Sequence, residues 1–103
     1  MEWYVYLAYF FGGALLVNGA PHFVHGISGE RFQSPFASRP GVGESPALVN
    51  VVWGLVNFGA GYALIFEVGD FVFGLTRGGF TVGLGALLMS VCLSVYFQRV
   101  RRR

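Results

Sequence analysis

Two histidines and three asparagines in this sequence sit inside long apolar runs or at their ends: Asn18, His22, His25, Asn50 and Asn57. An imidazole there can carry a proton, ligate a metal or haem, or pair with an amide. An asparagine in an apolar medium needs a hydrogen-bond partner, because an unsatisfied polar group costs several kcal/mol. Asn18 and His22 are four residues apart and share a helix face. Asn50, Gly54, Asn57 and Gly61 follow steps of 4, 3 and 4 and share another, with Trp53 alongside. Asn18, His22, Asn50 and Asn57 are therefore expected to form one polar intramembrane cluster, with Asn57 about 10 Å deeper than Asn50 at helical rise.

Ligand chemistry has weaker support. His22 and His25 are the only histidines, and two imidazoles are too few for a structural zinc site. Haem ligation through both axial positions needs facing histidines, which one chain could supply only as a homodimer. The pair remains a weak metal candidate, and no cofactor is expected. Catalysis is not expected either. Glu30 and Glu44 lie in one polar segment, and Glu67 and Asp70 in another. Ser28, Ser34 and Ser45 fit no nucleophile elbow or S-x-x-K pattern.

The elements that must position these residues follow from composition. Of 103 residues, 54% are hydrophobic, 17% aromatic and 12% charged. Soluble domains carry roughly 25% charged residues, so the chain reads as one transmembrane domain spanning 1–103. Three apolar runs match the span length of about 20 residues: helices are expected at about 3–25, 47–66 and 79–98. Loops 28–46 and 67–78 join them, and a basic tail covers 99–103. The fold class is an all-α membrane protein with three transmembrane helices and a long cytoplasmic loop between the first two. The first run has no positive flank before it and reads as a retained helix rather than a signal peptide. Pro21 cannot donate to the Val17 carbonyl, which predicts a helix break or kink near Asn18–Ala20.

All seven basic residues are arginine. Arg31, Arg39, Arg99, Arg101, Arg102 and Arg103 fall on one side of a three-span topology, and Arg77 alone on the other. This asymmetry puts the N-terminus outside and the C-terminus in the cytoplasm. Arg99, Arg101, Arg102 and Arg103 read as contacts to anionic lipid headgroups. Nothing beside them supplies stacking platforms, so nucleic acid is not an expected partner.

In lipid, small residues and polar contacts decide how helices pack. Gly79, Gly83, Ala86, Ser90 and Ser94 follow steps of 4, 3, 4 and 4 and predict the packing face of the third span. Gly12, Gly13, Gly19 and Ala20 serve the first span, and Gly54, Gly59 and Gly61 the second. Cys92, the single cysteine, reads as a packing residue. In the 28–46 loop, Phe32 and Phe36 are an i, i+4 pair beside Arg31 and Arg39, suited to a short stretch lying in the headgroup layer. Ser45 followed by Pro46 suggests an N-cap and first helical residue for the second span.

Four motifs stand in a row: "NGAPHF" (Asn18, Pro21, His22, Phe23), "FQSPFA" (Phe32, Pro35, Phe36), "PGVG" (Pro40, Gly41, Gly43) and "NVVWGLVN" (Asn50, Trp53, Gly54, Asn57). On these the chain resembles a group of uncharacterised small bacterial inner-membrane proteins. The resemblance covers Asn18 to Asn57. It implies a bacterial membrane protein of about three spans, and brings no activity, cofactor or partner with it.

The expected function is a small non-catalytic integral membrane protein, an accessory, assembly or interaction subunit. Its partners would be membrane lipids and either a second copy, in a homo-oligomer, or a larger membrane protein. The alternative is an oligomeric transporter of a small solute or protons that uses His22 and Asn57. Haem or metal binding ranks behind both.

Overall fold

A long apolar run away from water must satisfy its own peptide groups, and a helix does so within one segment. The computed structural model describes residues 1–102 and contains three such helices. They are α1 (Trp3–Ile27), α2 (Ala47–Phe66) and α3 (Arg77–Val100). All three are long and apolar enough to cross a membrane. The second matches its expected bounds, while α1 continues two residues further and α3 extends two residues at each end. The extension of α3 starts at Thr76, whose Oγ1 accepts the Gly79 N–H at 3.0 Å and caps the helix.

α1 is the central helix. It packs along both α2 and α3, which scarcely meet each other. Contact with α2 rests on a seven-residue repeat of the smallest side chains. Gly12 faces Gly61, Gly19 faces Gly54, and Gly26 faces Ala47, running antiparallel. A Cβ at Gly19 would lie 2.8 Å from the Gly54 carbonyl oxygen, and one at Gly61 2.7 Å from that of Gly12. The backbones themselves are thus in contact, as small residues permit. Against α3, Gly13 abuts the Val82 carbonyl and Gly85 abuts that of Phe10.

The face that α3 turns to α1 differs from the expected one. Gly78 and Gly85 are its buried residues. Of the Gly79–Ser94 stripe, Ala86 lies at the α1 contact, whereas Gly83, Ser90 and Ser94 are exposed. Gly79 packs only against its own preceding turn, at Gly74. The physical reason is that the Phe10 carbonyl leaves no room for a Cβ and meets Gly85, while Gly13 itself makes room for the Val82 carbonyl and the Ala86 backbone. Cys92 is also exposed, on the outward side of α3.

Pro21 does not break α1, which is helical without interruption from Trp3 to Ile27. Proline φ suits a helix, and only one backbone hydrogen bond is forfeited. Close packing of Gly19 on Gly54 and of Gly26 on Ala47 holds the segment on either side.

The 28–46 loop has an architecture of its own. Phe32–Gln33 (β1) pairs antiparallel with Glu44–Ser45 (β2), in register Phe32 to Ser45 and Gln33 to Glu44. Between them, the Val42 N–H donates to the Arg39 carbonyl at 2.9 Å and Gly41 has φ +75°. Proline then glycine with positive φ at the centre of an i to i+3 bond is the signature of a type II turn. Phe32 and Phe36 are consequently not on one helical face. Phe32 is 3% exposed and closes the end of the bundle, whereas Phe36 is 62% exposed and packs edge-on to Trp53. Ser45 is not an N-cap: it belongs to β2, and its hydroxyl pairs with that of Ser34. Pro46 stands before the first residue of α2, which has no side-chain cap.

Candidate functional site

The helix face of Asn50, Gly54, Asn57 and Gly61 is buried and turned to α1. Its two glycines bring α1 close enough for its two asparagines to reach across. Asn18 Nδ2 donates to Asn57 Oδ1 at 2.9 Å, and Asn57 Nδ2 donates to the Trp53 carbonyl of its own helix at 2.8 Å. One turn nearer the loop, His22 Nδ1 lies 2.8 Å from Asn50 Oδ1. The four side chains expected in one cluster thus form two separate pairs on adjacent turns.

Asn50 is the best-connected of the four. The two hydrogens of its Nδ2 are shared among the carbonyls of Phe32 at 3.2 Å, Ser45 at 3.1 Å and Pro46 at 3.2 Å. Three acceptors fix the amide orientation, since carbonyls cannot donate. Asn50 Oδ1 is then an acceptor, and His22 must donate to it from Nδ1. Nδ1 of the imidazole therefore carries a hydrogen.

Phe32 organises the outer layer. The His22 ring meets it edge-on at 5.4 Å and the His25 ring stacks on it at 4.4 Å. From α3, Phe97 packs at 4.8 Å, and the Arg101 guanidinium lies 5.0 Å above the ring. Arg101 also donates to Gln33 Oε1 at 2.8 Å. The side chain expected to face headgroups is therefore turned back onto the loop. Arg99 and Arg102 are exposed, and Arg103 lies outside the described residues. His25 Nδ1 pairs with Glu30 Oε1 at 2.9 Å. Each histidine thus has its Nδ1 engaged by a different partner, on either side of Phe32. Among the described residues no group of three or more His, Cys, Asp or Glu side chains could hold a metal ion.

The remaining motif residues build the loop that covers this end. Gly41 adopts its left-handed conformation under Tyr96 of α3, whose hydroxyl donates to the Gly41 carbonyl. Ser34 Oγ accepts the Phe36 N–H at 3.0 Å, and the Ser34 carbonyl accepts the Gly41 N–H at 2.9 Å. Gly43 packs over Ala37 and Arg39. Pro35 and Gly41 meet the side of a cavity of about 230 Å³, into which α1 contributes Asn18 and His22. A larger, almost wholly apolar groove of about 440 Å³ runs along the outside of α2 past Phe36 and Val52. Trp53 lines both and separates them.

Several residues of the site have no signature in the sequence. Gln33, Tyr96 and Phe97 reach it through the small ladder and the far end of α3. Tyr9 is fully buried at the opposite end of the bundle, edge-on to Phe71 at 5.3 Å. Its hydroxyl is the one fully buried side-chain polar atom without a hydrogen-bond partner among the described residues. Gly26 has a usable signal, the seven-residue spacing Gly12, Gly19, Gly26 that mirrors Ala47, Gly54, Gly61. Compared with known proteins, the chain matches no family model, no curated relative and no solved structure.

Proposed function

We propose that this chain is a small, non-catalytic integral membrane protein of the bacterial inner membrane, acting as an accessory or interaction subunit. Its N-terminus lies outside, and the α1–α2 loop and basic tail face the cytoplasm. The arginine asymmetry supports that orientation, with six of seven on the loop-and-tail side. The observation that carries the functional reading is the mutual engagement of the polar groups at the helix crossing. His22 pairs with Asn50, and Asn18 with Asn57, and Asn50 and Asn57 are 0% and 2% exposed. A solute path would need such groups facing a channel; a binding subunit needs them paired with one another and its outer faces free. α3 suits the second role, touching α1 along one edge and leaving Leu84, Leu87 and Val91 outward. Anionic lipids meet Arg99 and Arg102.

Cross-linking in native membranes, followed by mild extraction and native mass measurement, tests this. The reading requires an assembly heavier than the 11.2 kDa chain, either a homo-oligomer or a complex with a larger membrane protein. A monomer under both conditions overturns it. The cavity beside Asn18 and His22 favours one second reading, a proton-linked or small-solute transporter in an oligomer. Flux through reconstituted vesicles that is lost in His22→Ala would favour that reading over the first.

A further inference from the structure

We propose that the polar groove between the loop and the end of α3 binds the phosphate of an anionic lipid headgroup. The inference rests on the membrane-spanning reading above and is independent of any protein assembly. The groove, of about 390 Å³, is lined by Gln33, Val42 and Glu44 of the loop and by Val100, Arg101 and Arg102. At helical rise the 24 residues of α3 make about 36 Å. That exceeds the ~30 Å of a hydrocarbon core. On the membrane-spanning reading, Arg101 and Arg102, which follow directly, therefore lie in the headgroup layer.

Neither arginine is paired with a carboxylate, since among the described residues the only ion pair joins His25 to Glu30. Arg101 is nonetheless held in place. It donates to Gln33 Oε1 at 2.8 Å and lies 5.0 Å above the Phe32 ring. Both of those partners are buried. A guanidinium has five N–H donors, so one bond to Gln33 leaves donors for a ligand. Arg102 is exposed, and its backbone N–H is held by the Arg99 carbonyl at 3.4 Å. Arg31 donates to the Glu44 carbonyl at 3.0 Å and brings a third cation to the strand beside the groove.

Charge and position select the ligand class. Two guanidinium groups against the single Glu44 carboxylate leave the lining net positive. That balance favours an anion, and the planar guanidinium matches the oxygens of a phosphate through paired N–H bonds. An open groove is what a headgroup requires, because its acyl chains must continue into the bilayer. Basic sites at the cytoplasmic side of a helix bundle recur as binding sites for anionic headgroups. Free phosphate carries the same oxygens, but a lipid phosphate is already concentrated at the depth of these arginines. Val42 and Val100 offer its glycerol an apolar wall.

The test places the whole chain in nanodiscs of equal parts phosphatidylglycerol and phosphatidylcholine. Native mass measurement after release counts the lipids that stay bound. The expected result is at least a threefold excess of retained phosphatidylglycerol over phosphatidylcholine, whose choline neutralises its own phosphate. Arg102→Gln should cut that excess by at least half with helix content unchanged. Arg101→Lys, which keeps the charge but loses the guanidinium fork, should also reduce it. Arg39→Gln removes the same charge from a loop residue that does not line the groove, and should leave the excess intact. In phosphatidylcholine discs, added inorganic phosphate should not be retained. Equal retention of the two lipids would overturn the proposal. So would equal losses in Arg39→Gln and Arg102→Gln, which would mean general attraction to a basic surface. Retention of inorganic phosphate without phosphatidylglycerol would overturn the lipid assignment. A chain that fails to enter the discs would overturn the membrane-spanning reading and this inference with it.

Discussion

His22 Nδ1 and Asn50 Oδ1 lie 2.8 Å apart across the α1–α2 contact, and the two Asn50 amide hydrogens are shared among three backbone carbonyls of the loop and the start of α2. The two partners are unequal. His22 holds one bond of this node and Asn50 holds all of it. Asn50→Ala should therefore destabilise the protein by about 2–3 kcal/mol, the scale of leaving buried groups unsatisfied. His22→Ala should cost less, about 1–2 kcal/mol. Unfolding in mixed micelles measures both, and equal losses would contradict the carbonyl contacts assigned to Asn50.

The glycines separate into those that touch a backbone and those that face outward. Gly19→Ala and Gly85→Ala place a methyl group against the carbonyls of Gly54 and Phe10, forcing the helices apart. Overpacking of this kind costs about 1–3 kcal/mol. Gly59→Ala and Gly83→Ala meet open space and should be neutral or slightly stabilising, because alanine is the better helix former. Thermal unfolding of the four variants gives the ranking. A destabilised Gly83→Ala monomer would mean that the outward stripe, rather than Gly85, faces α1.

Helix number and much of helix orientation are legible in the sequence, because run length and polar spacing carry them directly. The α2 face of Asn50, Gly54, Asn57 and Gly61 can be read from its 4, 3, 4 steps without reference to any other helix. The α3 face cannot. Gly79, Gly83, Ser90 and Ser94 make as good a stripe as the one that packs, and the choice is made by Gly13 and Phe10 on another helix. The loop is illegible for a different reason. Strands of two residues have no periodicity to detect, and the Phe32–Phe36 spacing imitates a helical pair by coincidence. The polar residues suggest association, but their division into two pairs depends on the depth at which α1 and α2 cross.

The loop should loosen when its turn is strained. Gly41 has φ +75°, a region that costs an L-residue about 1–2 kcal/mol, and a Cβ there would also lie 2.7 Å from the Tyr96 hydroxyl. Gly41→Ala should speed hydrogen exchange at Ser34, Gly43 and Ser45 while leaving the middle of α1 protected. Tyr96→Phe removes one hydrogen bond and should produce a smaller change at the same amides, worth about 1 kcal/mol. Unchanged exchange in both variants would show that α3 does not hold the loop.

In the proposed role, the buried amides of α1 and α2 hold helices together and do not line a path. The most direct test is a double-mutant cycle on Asn18 and Asn57, which donate and accept a single 2.9 Å bond. Asn18→Leu and Asn57→Leu should each lose stability. The double variant should recover part of the loss, because replacing both partners of a buried pair by apolar groups can be nearly neutral. The predicted coupling is about 0.6–2 kcal/mol, as for other interhelical hydrogen bonds in membranes. Strictly additive losses, with no coupling, would contradict the claim.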